Sequence, residues 1–409
     1  MSTHVGQRIR EVRKVRGLTV RQLAGRVAIS ASLLEKYESG DRSPSPGALT
    51  RLARALQVGP ERLTGQPYMN GTEAAEPVQA VIPDLRRIMI TYDSPDDLDT
   101  APRPLPVLEA EAETVSRMRQ DGRYVPMGPL LPGLLAELTH TALGARDEAV
   151  ARRAFWWLAR TYRASNSLAH KLGYHDLSMT AIERVQWAAA RAGDPLMQAT
   201  GAYLRAGAMV RAGAYGTARR VLEGLEAEIT RLAPEESLTD AALAVQGAVL
   251  LKLSILEARD GQPEAAARRL EEARTVATYL RGIDSEHYEM SFGPTNVRIH
   301  EVAALIDLGD TDQALARLRE WGAEQDRDEW ELPTGLAAER ASHHHIDVAH
   351  ARLAEGDRHG AFRSLIRARE IAPNHVRWHP TVRSAAATLV RLDRASNDSL
   401  AGFARWAGA

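Results

Sequence analysis

The chain contains no cysteine. Disulfides, thiolate metal sites and thiol nucleophiles are therefore excluded. Lysine occurs only four times among fifty-two basic residues, while alanine and arginine are plentiful, a skew that reflects a GC-rich coding sequence more than a function. Aromatic residues make up 5% of the chain. Long apolar runs are also missing. The most apolar window, Ala241 to Leu256, carries Gln246 and Lys252 and is too short to cross a bilayer. The N-terminus is polar and basic with no apolar core, so a signal peptide is not expected. The expectation is a cytoplasmic protein with no membrane partner. Neither a phosphate-binding loop, a Gly-x-Ser-x-Gly elbow nor a His-Glu-x-x-His pair is present. Paired carboxylates such as Glu235-Glu236, Glu271-Glu272 and Asp96-Asp97 fall in polar, solvated stretches. Neither an enzyme nor a cofactor is expected.

What is present begins with length. At 409 residues the chain exceeds one compact core, which points to two or more domains or an extended array. Its 44% hydrophobic and 26% charged residues are those of a globular protein. The net charge of −1 hides a segregation. Residues 1–65 hold twelve Lys/Arg against five Asp/Glu, a surplus of seven, and the remainder holds forty against forty-eight. A basic head on an acidic body is the asymmetry of a nucleic-acid-binding unit.

Within residues 1–65 the pattern predicts five short helices. Val5, Ile9, Val12 and Val15 recur at helical spacing before Gly17. Thr19 opens a second helix with Gln22 as its capping-box partner, and Val20, Leu23, Ala24 and Val27 form its apolar face. Ser30 caps a third, whose inward side chains are Leu33 or Leu34 with Tyr37, and Gly40 closes it. Leu49, Leu52, Ala53 and Leu56 mark a fourth, and Pro60 to Leu63 a fifth. Helix 2, a short turn and helix 3 form a helix-turn-helix, in which helix 3 enters the major groove N-terminus first.

The stretch "LTVRQLAGRVAISASLLEKYESGDRSP" resembles the phage-repressor-like, XRE-type helix-turn-helix family over residues 5–65. The Leu-Ala of helix 2, the Ser cap, the Glu-x-Gly end and the Arg-x-Pro tail carry the likeness. The resemblance implies double-stranded operator DNA as partner, with Ala31, Ser32, Leu33 and Lys36 at base edges. Ser32 can exchange hydrogen bonds with several base edges, and Lys36 reaches guanine O6/N7 or a phosphate. Because Ala31 and Ser32 are small, part of the readout falls to DNA shape or to Lys36 alone. Thr19, Arg21, Arg42 and Ser43 are the implied phosphate contacts, assisted by the helix 2 N-terminal amides. The family pattern also implies a structural ion pair between Arg13 and Glu38.

Residues 66–129 differ in texture, with Pro67, Pro77, Pro83, Pro95, Pro102, Pro104 and Pro106 and an acidic run from Asp93 to Asp99. Two Pro-started helices are expected there, from Ile82 and over Val107 to Met118, in a partly ordered connector that docks on the body. Residues 130–409 read as helix pairs. Helix-ending glycines recur at 173, 213, 261, 309 and 356, and "PEAAARRLEEARTVA", "TDQALARLREWGA" and "RHGAFRSLIRAREIAP" follow three of them. That recurrence predicts an all-α protein: a five-helix head on an α-solenoid of stacked hairpins. The Ala-x-x-x-Leu-x-x-Ala character resembles tetratricopeptide repeats at a longer period than the usual ~34 residues. Head plus array resembles large Gram-positive regulators that sense peptides or metabolites, and long high-GC XRE–TPR regulators sharing "SFGPTNVRIHEVA" and "NHVRWHPTVR" type segments.

By that resemblance the array is expected to form a homodimer and take a peptide or small-molecule effector. Tyr162, Asn166 and His170 on one helix, and Thr295, Asn296 and His300 on another, are candidate pocket residues, since Asn both donates to and accepts from a peptide backbone. Their alternative role is to cap helices or satisfy neighbouring repeats. His343, His344 and His345, with Asp347 and His350, invite a metal reading. Successive helical residues point about 100° apart and no second ligand cluster is evident, so no metal is expected. The function expected is ligand-responsive transcriptional regulation. The alternative is a protein-interaction scaffold or antitoxin-like module whose head only autoregulates.

Overall fold

The computed structural model describes residues 4–67, 76–232, 239–280, 284–393 and 398–409. Glu235 and Glu236 lie outside the described residues. Within them the chain is all-α, with one isolated bridge between Ser285 and Phe292 and no named strand.

The head comprises α1 (Val5–Val15), α2 (Val20–Arg26), α3 (Ala31–Ser39), α4 (Pro46–Leu56) and α5 (Pro60–Thr64). Ile9, Leu23, Leu34, Leu52, Leu56 and Leu63 are all fully buried in one cluster. Of the pair left open by periodicity, Leu34 is the inward leucine and Leu33 is half-buried. Val15 departs from expectation and is 84% exposed. It closes α1, and the turn at Gly17 carries the chain away before anything packs on it.

The connector contributes α6 (Glu76–Gln79), α7 (Ile82–Ile90), α8 (Leu105–Gln120) and α9 (Tyr124–Met127). Leu85, Met89, Leu108 and Val115 are buried in the first body cluster, so α7 and α8 lie on the body. After α10 (Leu131–Gly144) the hairpins follow. They are α11 (Glu148–Leu172) with α12 (His175–Ala192), α13 (Pro195–Arg211) with α14 (Tyr215–Leu232), α15 (Asp240–Arg259) with α16 (Pro263–Thr278), α17 (Pro294–Leu308) with α18 (Thr311–Ala323), and α19 (Ala338–Ala354) with α20 (Arg358–Ile371). The chain ends in α21 (Pro373–Trp378), α22 (Pro380–Leu392) and α23 (Asp398–Ala407). All five repeat glycines take positive φ, from 74° to 95°, a helix stop that costs glycine no Cβ clash.

From α10 onward each helix packs on the next, and α13, α15, α17, α19 and α22 also pack on one another in series. That second set is the inner layer of a solenoid, whose stability is shared among neighbouring repeats. α8 touches both α11 and α19, and α21 touches α11, so the two ends of the array meet. Burial dominates at the centre. α15 runs 20 residues with a mean hydropathy of 1.6 in its best window, long and apolar enough to cross a membrane, but 78% of that window is buried in protein.

The "SFGPTNV" segment has a packing role. Phe292 is fully buried against α15, where a Cβ on Gly247 would fall 2.1 Å from its ring. Asp284 then caps α17, accepting from the Thr295 amide at 3.0 Å and the Asn296 amide at 3.1 Å.

Candidate nucleic-acid interface

Local chemistry builds the helix-turn-helix. The Gln22 amide donates to the Thr19 hydroxyl at 3.2 Å, and the Thr19 amide donates back to the Gln22 carbonyl oxygen at 2.8 Å. This reciprocal box satisfies two of the amides left open at a helix start. Ser30 caps α3 by accepting from the Leu33 amide at 3.0 Å, and Gly40 ends it in the left-handed region at φ 81°.

One buried ion pair fixes α3 against α1. Arg13 Nε lies 2.5 Å from Glu38 Oε1 and its Nη2 2.8 Å from Oε2, a bidentate fork. Arg13 Nη1 also donates to the Leu18 carbonyl at 2.8 Å, tying in the turn before α2. Both residues are 8% exposed. The bonds from Glu38 hold the Arg13 guanidinium above its ordinary range, against the opposing effect of burial.

With Leu34, Tyr37 and Glu38 turned inward, the outward face of α3 is fixed. Ser32, Glu35 and Lys36 are exposed, and Ala31 and Leu33 are half-buried beside them. Thr19, Arg21 and Gln22 are exposed at the start of α2. Glu35 was not among the expected readers; on this face it can accept from a cytosine amino group and repels phosphate. Arg42 is half-buried, its amide donating to the Lys36 carbonyl at 3.1 Å. Ser43 departs from the phosphate role expected of it. It is 4% exposed, and its hydroxyl shares a 2.6 Å hydrogen bond with Ser384 of α22.

Ser43 faces inward because the head is docked. The Gly47 amide donates to Asp307 at 3.0 Å, and Arg54 reaches the Gly213 carbonyl at 3.3 Å. Asp41 pairs with Arg391 at 3.0 Å. Bonds from Ser39 and then Arg391 lower the Asp41 carboxyl below its usual range. A cavity of about 230 Å³ lies at this junction between Arg8, Leu49 and Pro380. The helix after α3 thus meets the body while the outer face of α3 stays open.

The six expected pocket residues do not form one pocket. Tyr162 is fully buried in the first body core. Asn166 is 7% exposed and accepts from Ser178 at 2.7 Å, joining α11 to α12. Asn296 is fully buried and donates to the Ser291 carbonyl, and Thr295 serves the α17 cap through its backbone. The alternative of capping and inter-repeat bonding fits Asn166, Thr295 and Asn296, while Tyr162 is a core side chain. His300 and His170 are half-buried on local partners, His300 Nδ1 2.8 Å from the Asn296 carbonyl of its own helix and His170 Nδ1 3.4 Å from His175 Nδ1. His300 lies near Arg340 and Lys252, and His170 near Arg211.

Cations gather on the inner-layer helices α13, α15 and α19. Lys252 of α15 sits over the Tyr203 ring of α13, with Nζ 4.1 Å from the centroid. Burial, then Arg211 and Arg340, pull the Lys252 ammonium below its ordinary value. Burial would raise the Tyr203 hydroxyl, but Lys252, Arg340 and Arg163 bring it below its usual range. Burial likewise draws Arg163 and Arg211 down to about 10. Cations gathered where burial lowers the local dielectric favour an anion beside them. The signal was visible in Lys252, the one charge in the apolar run 241–256 of α15, which is costly without a purpose.

Between α8 and the array a buried carboxylate is saturated. Glu289 is held by Arg119 at 2.7 Å, Arg160 at 2.9 Å and Arg163 at 3.6 Å, with Ser116 donating as well. Burial alone would raise its carboxyl, yet the three guanidiniums lower it to about 2. Tyr288 and Glu289 take positive φ of 51° and 56°, backbone strain that these bonds hold in place.

Fold and geometry define a class: an N-terminal helix-turn-helix domain carried on an all-α body of stacked helical hairpins. Residues 4–64 match the family described as "Helix-turn-helix domain". Over 90 residues, 22% of this chain, the protein is 38% identical to the "Uncharacterized HTH-type transcriptional regulator RghRB" of Bacillus subtilis (strain 168). The match spans 59% of that relative's length. Among solved structures, Bacillus thuringiensis PlcR in complex with the peptide PapR7 and DNA aligns with 80% of this chain and 96% of its own, at 12% identity and a TM-score of 0.33. A likeness that low does not establish a shared fold for the body.

Proposed function

We propose that the protein is a sequence-specific DNA-binding transcriptional regulator whose helical array receives an anionic effector, a peptide or a small molecule. The observation that carries the DNA reading is the outer face of α3, which leaves Ser32, Glu35 and Lys36 exposed while the Arg13–Glu38 fork fixes the helix from behind. Thr19 and Arg21 flank it as phosphate contacts, and Arg42 lies beyond its end. Ala31 and Leu33 supply apolar contact to thymine methyl groups.

The effector reading rests on the cations of the inner-layer helices at Tyr203, Lys252 and Arg340. A single head contacts few bases, so the protein acts as a homodimer on half-sites about one helical turn apart, ~34–36 Å, or a multiple of it. An effector inside the array shifts operator affinity only by binding the docked and undocked heads differently. The contacts of Gly47, Ser43 and Asp41 with the body are the bonds such a shift would break.

The test is fluorescence anisotropy with the DNA upstream of the protein's own coding sequence, over a salt series. Specific binding with a steep salt slope is expected. Equal affinity for that DNA and for random duplex would refute the DNA reading. A protein partner that copurifies stoichiometrically, with DNA binding insensitive to anionic peptides and metabolites, would instead favour the scaffold alternative.

A further inference from the structure

Two histidine motifs that are far apart in sequence meet in space. His343 comes from the inner helix α19, His375 from α21, and His379 from the junction that caps α22. One ring nitrogen from each lies within 4.8 Å of one from each of the others. His375 is fully buried, and neither of its ring nitrogens has a hydrogen-bond partner; Nδ1 of His379 also lacks one. Buried polar atoms are nearly always paired, so orphaned nitrogens on two rings of one three-histidine cluster need a cause.

Geometry supplies one. The ring centroids are 5.7 Å apart for His343–His375, 5.1 Å for His343–His379 and 5.3 Å for His375–His379. Three imidazoles on a tetrahedral zinc, with Zn–N about 2.05 Å and a ring radius of about 1.2 Å, place their centroids ~5.3 Å apart. The ring centroids therefore stand near ligand spacing, and an ion would draw their nitrogens closer than the 4.8 Å within which they now lie. The next shell fits as well. Glu339 Oε1 lies 3.7 Å from His375 Nδ1, and Asp347 Oδ2 lies 3.7 Å from His343 Nε2. Carboxylates behind ligating imidazoles fix tautomer and ring orientation. Glu339 is itself held by Lys171 at 3.0 Å and by the Tyr124 hydroxyl at 3.0 Å. Access exists at His343, whose side chain is 37% exposed.

We propose that His343, His375 and His379 form a three-imidazole site for one divalent transition metal of the zinc class, with the fourth position open. A neutral all-nitrogen donor set suits zinc, copper, nickel and iron, and excludes calcium and magnesium. The metal would staple α19 to the α21–α22 junction. That junction begins the helix whose Ser384 and Arg391 hold the turn after α3. His344 and His345 take no part. His344 packs edge-on against Trp330 with centroids 5.5 Å apart.

The experiment uses untagged full-length protein stripped with a chelator, titrated with Co²⁺ and followed by its visible absorption. A four-coordinate spectrum saturating at one equivalent and displaced by Zn²⁺ is expected. His343→Gln and His379→Gln should each weaken binding at least ~10-fold, the lower bound set by losing a mere supporting partner, while His344→Gln leaves it unchanged. Circular dichroism of each variant confirms that the fold persists. Absence of a saturable spectrum in the wild type would overturn the proposal. So would retention of full affinity in a folded His343→Gln/His379→Gln double variant. Transfer of the loss to His170→Gln would show that the His170–His175 pair holds the ion instead, and would also overturn it.

Discussion

Removing Arg13 or Glu38 should unfold the head without first changing what it reads. Both side chains are about nine-tenths buried, at 10% and 8% exposure, and joined by two charge-assisted bonds of 2.5 and 2.8 Å. Exposed ion pairs contribute little, but breaking a buried one leaves an uncompensated charge that costs about 3–5 kcal/mol. Arg13→Ala also strips the Leu18 carbonyl of its donor. In a domain of this size each kcal/mol lowers Tm by roughly 4–8 °C, so the head's transition should fall by more than ~12 °C. Against a total stability of about 5–15 kcal/mol, that loss removes a large part of the head's margin. The assay is thermal denaturation by circular dichroism together with hydrogen exchange of head amides, in the full chain. Specific and non-specific DNA binding should be lost in parallel. Combining Arg13→Met with Glu38→Leu in one protein should recover most of the stability, because an apolar pair leaves no charge buried. A Glu38→Ala protein that melts like wild type yet changes operator preference would refute the reasoning.

Other outcomes follow from the same geometry. Lys36→Ala should weaken specific binding by about 1–3 kcal/mol, more than Ser32→Ala does, since Lys36 is the only long cationic reader on α3; equal affinities in an anisotropy titration would reassign the reader. Asp307→Ala removes the acceptor for the Gly47 amide and the partner of Arg259 at 2.8 Å, so hydrogen exchange at Gly47 should accelerate while the α3 amides keep their protection. Glu289 titrates at about 2 when folded against an ordinary 4.5. Its stabilisation is thus complete above pH ~4.5 and lost as pH falls toward ~2, and Glu289→Gln should lower stability at pH 7 and flatten the acid limb of the stability curve. Lys252→Met should raise Tm, since it removes a charge from an apolar helix, on the order of 1 kcal/mol, while abolishing any response of DNA binding to an anionic effector.

Much of the head was legible from residue order alone. Thr19 with Gln22, Ser30 and Gly40 are local signals, each acting within four residues on the backbone's own donors and acceptors, and each sits where its chemistry placed it. The repeat glycines were equally local, and their regular return announced stacked hairpins. Periodicity put Tyr37 inward on α3 but left Leu33 and Leu34 open, and the inward Glu38 and outward Ser32 and Lys36 came from the family resemblance; periodicity also extended the core one residue too far at Val15.

What lay beyond the sequence depended on which distant surfaces meet. Ser43 looks like a phosphate contact in its own segment and becomes a buried hydroxyl because Ser384, 341 residues away, arrives beside it. Tyr162 and Asn296 carry polar groups suited to a pocket, yet the superhelix closes over them, and the cationic cluster is assembled instead from single residues on α13, α15 and α19. The three histidines show the limit most plainly. His343 alone faces one way on its helix, and His375 and His379 are four apart on another stretch; no local rule brings them together. Sequence determined the helices, their caps and the face each presents. Tertiary structure decided the neighbours across those faces, because the curvature of the stack, set by the summed packing of every hairpin, fixes which inner side chains converge.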